Sequence, residues 1–164
     1  MISNSEKISR REDINEVLEQ LGQVLEERVE AMLIGGAVML ELGLKDATKD
    51  IDVVCRSEGD TERQLAAARA LGFEIVGPEK RHERLGVKRL AVKGGRNLDV
   101  FAERISYDFD LSEAMWQRAI KSRSFGMLVI RDASLEDIFA MLSDRQSARG
   151  CQRLRRSFLC GPGL

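Results

Sequence analysis

The sequence predicts an α/β (α+β) domain, a small mixed β-sheet with packed helices. Three observations point there. Short apolar runs of strand length recur at Met32–Ile34, Ile51–Cys55, Leu98–Phe101 and Phe125–Ile130. Between them lie segments whose apolar residues repeat at helical spacing. Glycine and proline punctuate the joins at Gly43, Gly72, Gly77-Pro78 and Gly94-Gly95, with no internal repeat and no low-complexity linker.

From the N-terminus, Ser9-Arg-Arg-Glu12 has the capping-box form, a hydroxyl followed three residues later by an acid. Ile14, Val17, Leu18, Leu21, Val24 and Leu25 follow at helical spacing and predict a first helix to about Val29. Met32–Ile34 is too short for a helix and reads as a buried strand. Gly35-Gly36 turns the chain into a short helix, Ala37–Leu42, which Gly43 stops. Ile51–Cys55 is a second strand, apolar except for Asp52. Thr61–Leu71 is an alanine-rich helix closed by Gly72, and Phe73–Val76 is a strand. After the charged loop Glu79–Arg84, strands are expected over Leu85–Val92 and Leu98–Phe101, joined through Lys93-Gly-Gly-Arg96. Leu111–Ile120 reads as a helix and Phe125–Ile130 as a strand. Ser134-Leu-Glu-Asp137 caps a helix to about Leu142.

The domain is expected to occupy residues 1–141. Residues 142–164 differ: five arginines, no lysine, one acid and sparse apolar residues read as a basic, poorly ordered tail.

At 164 residues the chain can bury a core without staples. Its net charge of −1 gives no whole-molecule field toward nucleic acid, which weakens a reading as a nucleic-acid-binding module working through the arginine tail. Cys55, Cys151 and Cys160 form no CxxC pair, so neither a disulfide framework nor a zinc site is indicated. His82 is alone, which excludes a multi-histidine metal site. No apolar run reaches the roughly 20 residues that span a bilayer, so no membrane partner is expected. The first residues lack the apolar centre of a signal peptide, and the expected place is the cytoplasm. Oligomeric state is left open.

The chemistry concentrates between Ala31 and Cys55. Residues two apart on a strand share a face, so Asp50 and Asp52 stand side by side. Before them, a glycine pair opening a helix offers backbone N–H groups and a positive dipole end. Aligned carboxylates suit magnesium and a glycine turn suits phosphate; a nucleoside triphosphate with its metal needs both. Asp99, in Asn97-Leu-Asp-Val-Phe101, is a third acid on an otherwise apolar strand, where a carboxylate is costly unless it meets a metal or a partner. If its strand lies beside that of Asp50 and Asp52, three carboxylates converge, the set that two-magnesium nucleotidyl transfer requires.

Taken singly, these residues have plainer readings. Gly35-Gly36 is equally a tight turn, and Asp50 a strand-start residue meeting solvent. Lys49 could reach phosphate but reads more simply as a solvated loop lysine. Glu79–Arg84, with His82, reads as a surface turn. Tyr107, Phe109 and Trp116 read as packing residues rather than platforms for a base.

In combination, Gly35-Gly36, then Thr48-Lys-Asp50-Ile-Asp52, then the strand acid Asp99 resemble the nucleotidyltransferase fold of the polymerase-beta superfamily. More narrowly they resemble small prokaryotic members grouped with the AbiEii-type toxins of toxin–antitoxin systems. The resemblance covers roughly residues 17 to 141. It implies Asp50, Asp52 and Asp99 as ligands of two Mg2+ ions, with Asp99 as possible base. It also implies that Gly35 and Gly36 touch the triphosphate, with Lys49 nearby, and that Thr48 supports the metal loop. The partners implied are a nucleoside triphosphate such as ATP and an acceptor that could be RNA (a tRNA end), a protein or a small molecule.

The chain departs from the family after Met141. Leu142 stands where a lysine is expected, and the acids that follow an arginine in the family are missing. A one-base shift of possible codons for Ala148–Leu154 permits Arg-Glu/Gly-Asp-Val-Asn-Asp-Phe, which restores an acidic pattern; the gene's nucleotide sequence decides this. The same departure supports a rival reading, a catalytically inactive protein of this fold acting as a binding or regulatory partner.

Overall fold

A computed structural model describes residues 7–77, 87–106 and 109–144 of the chain. In order, its elements are α1 (Arg11–Val24), β1 (Val29–Ile34), α2 (Gly35–Glu41), β2 (Asp50–Cys55), α3 (Glu58–Ala70), β3 (Glu74–Val76), β4 (Val87–Lys93), β5 (Arg96–Ala102), β6 (Arg104–Ser106), β7 (Phe109–Asp110), α4 (Glu113–Gln117), β8 (Lys121–Phe125) and β9 (Leu128–Asp132). A last helix, α5, covers 135–144. Seven strands form one mixed sheet in the order β3-β4-β5-β2-β1-β9-β8, and β6-β7 pair separately. β2 runs parallel to β5, and β1 runs parallel to β9. The remaining pairs are antiparallel.

Register sorts the sheet's two faces. Ile51, Val53 and Cys55 align with Leu98 and Val100 of β5 and with Ala31 and Leu33 of β1, all fully buried. This face meets the helix layer: Cys55 Sγ donates to Gln64 Oε1 of α3 at 3.1 Å, and Arg123 of β8 reaches Asn15 of α1. The opposite face carries Asp50, Asp52, Asn97 and Asp99 at one end of the strands. Toward the other end lie Val54, Met32 and Phe101, and Arg131 of β9, opposite Met32, donates to the Trp116 backbone oxygen of α4 at 3.3 Å.

Several element boundaries differ from the sequence expectation, each for a tertiary reason. The capping box does not form: α1 begins at Arg11, and Arg10 at the N-cap makes no side-chain cap. Ile8 instead bridges Thr48 through two backbone hydrogen bonds of 2.8 and 2.9 Å, which sets where the extended chain stops. α1 also ends at Val24, because Val29 is taken into β1 beside β9. Leu111–Ile120 is helical only over Glu113–Gln117, capped by Ser112, since Ile120 N–H already donates to Asp132 O next to β8. Phe125–Ile130 is not one strand. Gly126, at φ +58°, turns β8 into β9 within it. The cap at Ser134 forms as expected, its hydroxyl accepting from Asp137 N–H at 3.2 Å. Residues 142–144 continue that helix, whereas 145–164, the Glu79–Arg84 loop with His82, and Tyr107 lie outside the described residues.

Candidate functional site

The candidate site lies where β1 ends and β2 begins. The two strands are antiparallel, with Ile34 opposite Asp52, so the chain leaving β1 turns directly beside that carboxylate. Gly35 makes the turn at φ +66°, in the left-handed region. The left-handed backbone favours glycine, and a Cβ there would lie 2.8 Å from Asp52 Oδ2 and push that carboxylate aside. Gly36 is equally enclosed: a Cβ would lie 2.6 Å from Thr48 Oγ1 and 3.3 Å from Lys45 Nζ. The glycine pair forms the start of α2 rather than preceding it. That helix has seven residues, two turns, so its dipole is small and the local backbone amides matter more.

The condition attached to Asp99 is met. β2 and β5 are neighbours, and their parallel register sets Asp50 against Asn97 and Asp52 against Asp99. Both strands are central in the sheet, so the acids sit at the strands' ends rather than along a lateral edge. Asp50, Asp52 and Asp99 are all half-buried, and one oxygen of Asp99 is shielded from solvent.

Thr48 is buried, clamped by Ile8, and its hydroxyl donates to Asp50 O at 3.2 Å, which fixes the entry into β2. Lys49 is exposed, and the atoms nearest a Cβ at Gly36 belong to Thr48 and Lys45. Two residues were missed in the sequence. Asn97 Nδ2 donates to Asp50 Oδ1 at 2.9 Å. Its signal was available: Asn97-x-Asp99 repeats the spacing of Asp50-x-Asp52, so both members share a face. Lys45 had no local signal, since the loop's return over Gly36 brings it in.

The donor set fits a hard divalent cation, being carboxylate oxygen throughout. The fit is clearest for Asp52 and Asp99, abreast on adjoining strands. Asp50 lies one step along and engages Asn97. Among the described residues no three His, Cys, Asp or Glu side chains are gathered tightly enough to hold a metal ion as they stand.

Farther along the same face, Arg56 stacks 4.5 Å from the Trp116 ring centre. It lies 3.3 Å from Glu30 Oε1 and 3.2 Å from Glu113. Hydrogen bonding from Gln117, with Arg56 nearby, lowers the Glu113 pKa. Trp116 is buried and packs as expected. On the helix face, burial pushes the Cys55 thiol up to about 12, so it stays protonated and unreactive at neutral pH.

No family model matches the chain, and no curated protein matches it. Among solved structures it is similar to a protein from Thermotoga maritima whose assignment as a nucleotidyltransferase is provisional. The two share 16% identity over 92% of this chain and 96% of that chain, with a TM-score of 0.64. The described residues, then, have a nucleotidyltransferase-like fold.

Proposed function

We propose that this protein is a magnesium-dependent nucleotidyltransferase, moving a nucleoside monophosphate from a nucleoside triphosphate to an acceptor hydroxyl or phosphate. The acceptor oxygen forms a bond to the α-phosphorus as the α–β bridge breaks, and pyrophosphate leaves. The supporting observation is the β2–β5 register, Asp52 beside Asp99, with the Gly35 turn against the Asp52 carboxylate. Asp50, Asp52 and Asp99 would hold two magnesium ions, whose chemistry when bound is to neutralise phosphate charge and acidify the acceptor hydroxyl.

The chain's own groups do the remaining work. Gly35 and Gly36 leave the backbone open to the triphosphate, with Lys49 at the rim. Thr48 fixes the first residue of β2, and Asn97 orients Asp50. Asp99 accepts the acceptor's proton. The acceptor is an RNA end such as that of tRNA, a protein side chain or a small molecule. A toxin–antitoxin role of the AbiEii kind is the finer reading, carried by the sequence resemblance.

The rival, an inactive binding protein on this fold, is favoured by Leu142, which lies in α5 where the resemblance expects a lysine. Incubation with magnesium, labelled nucleoside triphosphates and candidate RNA or protein acceptors separates the two. Transfer that disappears in the Asp50→Ala, Asp52→Ala double variant supports the enzyme. Triphosphate binding without any transfer supports the rival. Transfer that survives the double variant refutes the site assignment.

A further inference from the structure

We infer that Lys45 is a polyphosphate-binding residue of this site, a role that rests on the nucleotide reading above and goes beyond its metal and glycine residues. Lys45 is exposed, in the loop between α2 and β2. Its ammonium nevertheless folds back over the glycine turn, 3.3 Å from where a Cβ of Gly36 would stand. The Thr48 hydroxyl stands 2.6 Å from that same point. On the adjoining residue, the corresponding position at Gly35 faces Asp52 Oδ2 at 2.8 Å. Neighbouring Cα atoms are about 3.8 Å apart, so one short stretch of bare backbone has a carboxylate at one end and an ammonium and hydroxyl at the other.

That arrangement matches an extended polyanion. A phosphate chain lying along the turn would meet metal-binding acid at one end and a cation at the other, with no side chain between them. The Thr48 side of this arrangement is fixed rather than incidental. Thr48 is buried and clamped to Ile8 by backbone hydrogen bonds in both directions, and its hydroxyl is tied to Asp50 O. Lysine serves here as a compact point charge with three donors, suited to phosphate oxygens whose orientation differs along the chain. The contact should therefore grow with the number of phosphates and be indifferent to the base.

Calorimetric binding to the full chain in magnesium tests this with ATP, ADP, AMP and inorganic tripolyphosphate. Lys45→Gln is expected to weaken ATP and tripolyphosphate about tenfold, the loss of one charge-assisted contact. AMP should change by less than about twofold on the same grounds. Lys45→Arg should restore most of the ATP affinity, and Lys121→Gln on the distant β8 should bind as the wild type does. ATP binding by Lys45→Gln equal to wild type overturns the inference, as does an equal loss for ATP and AMP. In either case the nucleotide reading stands, because wild-type ATP binding carries it. A wild type that takes tripolyphosphate and not ATP overturns the nucleotide reading instead, and the tripolyphosphate loss in Lys45→Gln then decides for or against the lysine. A wild type that takes neither overturns both.

Discussion

Asn97 is a neutral side chain on one strand that orients a carboxylate on the next, through its 2.9 Å bond to Asp50. Removing such a support around a metal-ligating group typically costs 10- to 100-fold in metal affinity. Asn97→Ala should therefore raise the magnesium concentration for half-maximal transfer by about tenfold or more, read by titrating magnesium against rate. If the requirement is unchanged, the amide only packs. Asn97→Asp sharpens the test, since it keeps the shape but sets a like charge against Asp50. Cys55 shows the opposite use of polarity. Its thiol is spent on Gln64 in the helix layer, and its raised pKa removes it from the reactive groups of the molecule.

Two elements meet backbone to backbone where α1 crosses the β8–β9 turn. A Cβ at Gly22 would lie 1.6 Å from Phe125 O, and one at Gly126 would lie 2.6 Å from Gly22 O. Met127 N–H also donates to Gly22 O at 3.1 Å, so helix and hairpin touch backbone to backbone. Gly22→Ala removes glycine's cost in a helix, yet it should lose about 3 kcal/mol because one backbone must move. A urea midpoint that falls with an unchanged slope checks this; a gain in stability would show that the crossing gives way easily. The same junction explains what was legible in the sequence. The apolar runs of β1, β2 and β5, the Asp50-x-Asp52 spacing and the Ser134 cap were readable because local pattern and tertiary role agree there. β8, Lys121-Ser-Arg-Ser-Phe125, shows no alternation of apolar residues, being a sheet edge with little to bury. The capping box misled because the Ile8–Thr48 bridge fixes where α1 begins. Lys45 was invisible because only a long-range loop return brings it to Gly36.

At the scale of the whole molecule, a half-buried guanidinium ties four elements together. Arg123 of β8 donates to Asn15 of α1 at 2.7 Å, pairs with Asp132 of β9 at 2.8 Å and reaches Glu41 of α2 at 3.4 Å. Arg123→Met would leave the nearly buried carboxylates of Glu41 and Asp132 without their shared cation, and stability should drop by about 3 kcal/mol. Chemical denaturation measures it, and replacing Asp132 with Asn in the same background should recover part of the loss. A midpoint unmoved by Arg123→Met would mean the acids find solvent. The network holds the far end of α2 while the β1–β2 pair holds its start, so the glycine turn is gripped from both sides. The β2–β5 pairing has a consequence in time. β4 and β5 are joined by a tight turn and can close locally, but Asp50 meets Asn97 across 47 residues of chain. Long-range parallel pairing is the slow part of folding, because the loop must close before its contacts repay the closure. A refolding chain thus regains helices and hairpins first, and its carboxylates come abreast after them.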